Sequence, residues 1–133
     1  MVLDKTQPVL TAGWSDYVAW LLGRRQRFVV RENSMLPTLR PGDVVLAEID
    51  VDVHVGDIVI VRYSSGKRTH GGETGSPSEL LLIKRIDNIF YDGGLYLISD
   101  NTNAPDARDS RHFGVFSVDQ VVGRVTSRLA ERT

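Results

Sequence analysis

A serine hydroxyl is protonated at neutral pH and attacks a carbonyl only when a base takes its proton and donors hold the resulting oxyanion. Ser34 lies in the stretch ENSMLPTLRPGD, Glu32 to Asp43. There Pro37 fixes its own φ and biases Leu36 toward extended backbone, and Pro41-Gly42-Asp43 forms a turn. Such a segment is stiff, and stiffness suits a nucleophile that must be held close to attack geometry. Met35 places a flexible apolar side chain beside the serine, suited to a hydrophobic substrate groove or to the core. Taken alone, Ser34 reads as a turn or capping hydroxyl, so its chemistry depends on finding the base.

Histidine is the first place to look, and the chain has three: His54, His70 and His112. His54 lies in a polar turn between strands, His70 in a Gly/Ser-rich loop, and His112 after Arg111 in another loop. A triad of Ser34 with His112 and Asp109 is an open but disfavoured arrangement, because triads are defined by geometry that the sequence does not supply. Lysine replaces histidine when burial disfavours its ammonium. In LLLIKRI, Leu80 to Ile86, strand alternation puts Leu82, Lys84 and Ile86 on one face and Leu81, Ile83 and Arg85 on the other. Arg85 stays protonated in proteins, whereas Lys84 can act as a base. The competing reading makes Lys84 an edge-strand gatekeeper that points to solvent.

The rest of the chain must position these groups. At 133 residues it is one domain in size, able to bury a core without disulfides or metals. It has no cysteine, which removes disulfides, thiol nucleophiles and Cys-rich zinc sites and fits a reducing cytosol. We expect neither cofactor nor metal. Lys plus Arg number 16 against 17 for Asp plus Glu, so the chain lacks the basic excess that wraps nucleic acid.

After Gln26 the sequence breaks into six short runs rich in Val, Ile, Leu or Tyr: RFVVRE, DVVLAEI, DIVIVRY, LLLIKRI, GLYLIS and QVVGRV. Each is bounded by Gly, Pro, Asp or Asn, the pattern of a mainly β domain. GDVVL at Gly42 and GDIVI at Gly56 echo one another as two similar turn-plus-strand units, too few for a repeat array. Residues 64–79, SSGKRTHGGETGSPSE, read as a flexible surface loop. A short amphipathic helix is expected over Trp14 to Arg25, with Gly23 near its end. Residues 1–27 thus form an N-terminal segment and 28–133 the β domain.

The early apolar run YVAWLL, Tyr17 to Leu22, is far short of the roughly 20 residues of a membrane span, and no basic stretch precedes it as in a signal peptide. The expectation is a cytoplasmic protein. Trp14, Tyr17 and Trp20 followed by Arg24, Arg25 and Arg27 also make residues 14–27 a candidate for peripheral contact with a lipid surface. The preferred alternative packs these aromatics on the chain's own domain.

NSMLPTLRPGD (Asn33 to Asp43) resembles the serine box of type I signal peptidases, IKRI (Ile83 to Ile86) their lysine box, and SDNTNAPDARDSRHFGVFSVDQVVGRV (Ser99 to Val125) their closing box. The three occur in the family's order. The resemblance implies a single β-rich, partly barrel-like domain and a serine endopeptidase. Ser34 would be nucleophile and backbone oxyanion donor, and Lys84 the general base. Met35, Pro37, Arg85, Asp100, Asn101 and Ser110 support the site by resemblance, and Asp109 and Arg111 form a pair that holds the loop near Lys84. Three positions depart from the pattern: Glu32 where Ser or Gly is frequent, Ala107 where some members carry a serine that orients the lysine, and Ser99 where Gly is usual.

Only WSDYVAWLLGRRQRF stands where signal peptidases carry membrane anchors. The layout is similar to the nickel-type superoxide dismutase maturation proteases, which implies a precursor protein as partner and its N-terminal propeptide as the segment removed. The alternatives are a generic leader peptidase working at the membrane surface and a self-cleaving repressor-type β module. The last would need a helix-turn-helix ahead of the β domain, where there is room for at most one good helix.

Overall fold

All six β-rich runs form strands. The computed structural model describes Gly23 and residues 25–64, 79–103 and 108–129. Its strands are β1 (Arg25–Val29), β2 (Val44–Glu48), β3 (Ile58–Ser64), β4 (Glu79–Ile89), β5 (Leu95–Ile98) and β6 (Val121–Arg128). They make one antiparallel sheet in the order β1-β2-β6-β3-β4-β5. The expected loop between β3 and β4 falls, over residues 65–78, outside the described residues. So does the expected N-terminal helix, except at its end. There Gly23 occupies a turn at φ 76°, and Arg25, placed in the helix by sequence, instead opens β1 opposite Glu48, whose carboxylate lies 3.9 Å from its guanidinium.

β3 explains why the core needs only one sheet. Ile58 and Ile60 point into a cluster with Val30, Met35, Leu39 and Val45, while Val59 and Val61 point into a second with Ile86, Leu95, Leu97 and Phe116. A strand buried on both faces carries an unbroken apolar run rather than an alternating one, which is why IVIV reads as it does.

The GDVVL and GDIVI echo is one turn used twice. Gly42 and Gly56 both sit at φ 95°, a backbone conformation open to glycine and strained for other residues. After each, an aspartate closes the turn in the same way. Asp43 N–H donates to Arg40 O and the Asp43 carboxylate accepts from Arg40 N–H; Asp57 repeats both bonds with His54. The two strands so launched are not neighbours, because β6 lies between them.

β1 and β4 stand four places apart, roughly 19 Å in a flat sheet at about 4.8 Å per strand. Both nevertheless line one groove of about 470 Å³, with Val45 of β2 and Ile60 of β3 between them. The sheet therefore curls strongly, giving the partly barrel-like form expected, but it does not close: among the described residues β1 and β5 do not pair with each other, and β5 instead makes an isolated bridge from Leu95 to Phe116.

One helical turn, α1 (Ser110–Phe113), lies where sequence reading placed a loop. Four residues carry too little periodicity to register as a helix. It is held by its cap and by rings: Phe113 packs 4.3 Å from Tyr63 and 6.3 Å from Phe116, centroid to centroid.

Gly123 in β6 packs closely against β2. A Cβ there would lie 3.0 Å from Ala47 Cβ and 3.1 Å from Glu48 O. Gly123→Val should lower unfolding free energy by about 1–3 kcal/mol, read from urea denaturation; unchanged stability would show that β2 and β6 can separate at no cost.

Candidate active site

The serine loop is nailed into the core by the residues flanking Ser34. Met35 and Leu39 are fully buried in the first cluster, and Leu39 N–H closes the loop on Met35 O at 2.9 Å. Met35 is thus a core residue rather than part of a substrate groove, and Pro37, after a cis Leu36–Pro37 bond, is exposed. Ser34 itself is nearly buried and lines the groove.

The peptide joining Asn33 to Ser34 is fixed from its carbonyl side. Asn33 O accepts from Leu36 N–H at 3.2 Å and from Asn101 Nδ2 at 3.0 Å. In a trans peptide the carbonyl and the N–H point in opposite directions. Ser34 N–H is therefore turned away from Asn101, and among the described residues it has no protein acceptor. It is a donor with its bond unspent.

Lys84 is 1% exposed and Arg85 2%. The gatekeeper reading of Lys84 fails, because its side chain is buried rather than turned to solvent, even though β5 pairs with β4 only from Arg85 onward. Burial pushes the Lys84 pKa below its ordinary value, while the charges of Asp109 and Glu32 oppose that fall and Arg111 adds to it. Lys84 lines the same groove as Ser34 and Glu32. Glu32 is exposed at its rim, and as a carboxylate it offers no donor to an oxyanion.

Three consecutive residues after β5 reach the two reactive elements. The Ser99 hydroxyl accepts a hydrogen bond from Lys84 Nζ at 3.1 Å. Asp100 receives Arg85 Nε and Nη2 at 2.8 Å each and Thr38 Oγ1 of the serine loop at 2.6 Å. Asn101 N–H donates to Ser34 O at 2.8 Å, and its side-chain oxygen accepts from Asn103 N–H, leaving Nδ2 for Asn33 O. Arg85 Nη1 also ties this group to Gly56 O, 2.7 Å away in the turn before β3.

Asp109 supports that segment from behind. It caps α1, accepts Ser99 N–H at 3.0 Å, and is gripped by Arg111 through Nε at 3.0 Å and Nη2 at 2.8 Å. Its own burial pushes the carboxyl pKa up, but these bonds prevail and hold it at about 2. Ser110 Oγ accepts Leu97 N–H at 2.7 Å, fastening α1 to β5. With its carboxylate engaged by Arg111, Asp109 is not paired with His112, which is exposed; the histidine triad is not assembled. His54 is exposed too, and His70 and Ala107 lie outside the described residues. Ser99 is the contact that sequence reading missed. It registered there only as a departure from glycine, since nothing local indicates that a residue 15 positions on will meet Lys84. Among the described residues no cluster of His, Asp or Glu could hold a metal, and no helix is long and apolar enough to cross a membrane.

The arrangement can therefore present a hydroxyl, a lysine biased toward its neutral form and a free backbone donor to one groove. No curated protein matches the chain. Residues 26–125 match the family model described as Peptidase S24-like, a span from β1 into β6 that contains Ser34, Lys84 and the whole 99–111 segment. The chain belongs to the Peptidase S24-like family and is a serine-type peptidase.

Proposed function

We propose that Ser34 and Lys84 form the catalytic dyad of an endopeptidase that removes an N-terminal leader from a precursor protein. The observation that carries this reading is the meeting, in one groove, of a serine whose N–H is unspent and a buried lysine whose pKa is lowered.

The groove suits an extended peptide. Among the described residues β1 has no strand on its outer side, and β4 is unpaired on its β5 side before Arg85. Two lines of backbone groups are thus open to strand addition, in which main-chain bonds give affinity and alternate side chains give specificity. Val29, Leu80 and Leu81, each about half exposed, offer apolar contact to the side chains of that peptide.

With the scissile carbonyl against Ser34, Ser34 Oγ attacks the carbonyl carbon as its proton passes to neutral Lys84. The oxyanion takes the Ser34 N–H. Lys84, now an ammonium, returns the proton to the leaving amine as the C–N bond breaks, leaving an ester on Ser34. Water then gives a proton to Lys84 and attacks the ester; collapse of that second intermediate frees the acid and restores the serine.

The substrate we assign is the propeptide of a nickel-type superoxide dismutase. What supports it is sequence resemblance: WLLGRRQRFVVRENSMLPTL leads into the serine loop, and the connection from Lys84 to the closing segment is brief. Incubating the protein with such a precursor and sequencing the new N-terminus tests this, and an uncut precursor would remove that substrate while leaving the dyad to be tested with other peptides.

Ser34→Ala and Lys84→Ala should each lower cleavage on the order of 10⁴-fold or more with the fold retained by circular dichroism. Lys84→Arg keeps the charge, removes the base and should be equally inactive; turnover by it would make Lys84 structural. Because the neutral amine is the active form, the cleavage rate should rise with pH through an inflection below lysine's ordinary 10.5. Glu32 opposes the fall of that pKa, so Glu32→Gln should move the inflection to still lower pH. An inflection that stays in place would mean that Glu32's charge does not reach Lys84 in solution.

A further inference from the structure

A neutral lysine amine has one lone pair and two N–H bonds at the end of a four-carbon stem, and rotation about its last bond sweeps the lone pair around a cone. A base must present that lone pair in one direction. Among the described residues Lys84 Nζ makes a single hydrogen bond, to Ser99 Oγ at 3.1 Å, and both side chains are almost fully buried.

The hydroxyl at the other end of this bond is itself immobile. Ile98, just before it, pairs with Arg85 across the β4–β5 ladder. Ser99 N–H is held by Asp109, and Asp100, just after, grips Arg85 with two bonds. Ser99 is thus tied on both sides to the residue adjoining Lys84, so its oxygen keeps a constant place relative to the lysine's own strand.

We propose that Ser99 is a positioning residue for the base: by accepting one N–H of Lys84 it fixes rotation of the amine and directs the lone pair toward Ser34. The bond can be made by the amine and, more strongly, by the ammonium, so it persists through proton transfer and nothing must rearrange when Lys84 takes and returns the proton. This role rests on the Ser34–Lys84 reading.

The test uses p-nitrophenyl acetate, a small activated ester that acylates a nucleophilic serine without needing the peptide groove. Release of p-nitrophenol follows the rate, and intact mass together with peptide mapping locates the acetyl group on Ser34. Ser99→Ala should slow acylation about 10- to 100-fold, the range a misplaced reacting group costs, with the half-saturating ester concentration unchanged. Losing an acceptor that favours the ammonium should also move the pH inflection lower while Asp109, Glu32 and Arg111 remain in place. A slower base that is more often neutral is the signature of lost direction, and a merely structural change would not produce it. Ser99→Thr keeps the hydroxyl and should recover most of the rate.

Wild-type acylation and an unmoved inflection in Ser99→Ala would overturn the assignment. So would a folded Ser99→Thr as slow as the alanine variant. If Ser34→Ala or Lys84→Ala acylates as fast as the wild type, the dyad reading fails and Ser99 loses its role with it; if both are inert and Ser99→Ala is normal, only the role of Ser99 fails.

Discussion

The buried ion pair between Arg85 and Asp100 is the constraint on which the site depends. Both side chains are 2% exposed and meet through two parallel bonds, the geometry in which guanidinium and carboxylate interact most strongly. Removing one partner of such a pair strands the other charge and costs about 3–5 kcal/mol. The pair does more than stabilise. Through Asp100 it holds Thr38 of the serine loop, through Arg85 it holds Gly56 ahead of β3, and it fastens the 99–101 segment to the strand that carries Lys84. Serine loop, lysine strand and closing segment are therefore tied to one another through this pair.

That rigidity answers an electrostatic demand. Burying a lysine disfavours its charge and makes it a usable base near neutrality, but the same burial makes any unsatisfied polar group expensive. The site meets both conditions at once. Lys84 loses water and is left with one neutral acceptor, Ser99, while the full charges near it are distributed around the rim and behind the segment. Asp109 is kept anionic by Arg111 and by backbone N–H groups, and its charge is the strongest of those that oppose the fall of the Lys84 pKa. Glu32, exposed at the groove, remains as an adjustable opposing charge. The reactive amine sits between a drive toward neutrality and two anions that limit it.

A second economy lies in how the oxyanion donor is prepared. Asn101 and Leu36 N–H both bind Asn33 O, on the far side of the peptide from Ser34 N–H. Bonds to a carbonyl polarise the N–H of the same peptide, so the contacts that aim the donor also strengthen it. Glu32 contributes nothing to that hole; its charge acts on Lys84, opposing the fall of the lysine pKa.

Much of this was legible along the chain. The six strands, the two Gly-Asp turns, the stiff loop around Ser34 and the alternation that separates Lys84 from Arg85 are local properties, determined by propensity, turn chemistry and a two-residue period. Local patterning puts Arg25 at the end of a helix, since an arginine ending a helix and one opening a strand look alike until Glu48 lies opposite. The sequence by itself thus determined a mainly β domain with a serine and a lysine in favourable settings. Only tertiary structure decided that Lys84 is covered rather than turned to solvent, that Met35 fills the core, that Asp109 serves Ser99 and Arg111 instead of a histidine, and that Ser99 meets the lysine. The physical reason is the sheet itself: strand order and curl bring residues 34, 84 and 99–101 to one place, and pairing between strands distant in sequence leaves no mark in either strand alone.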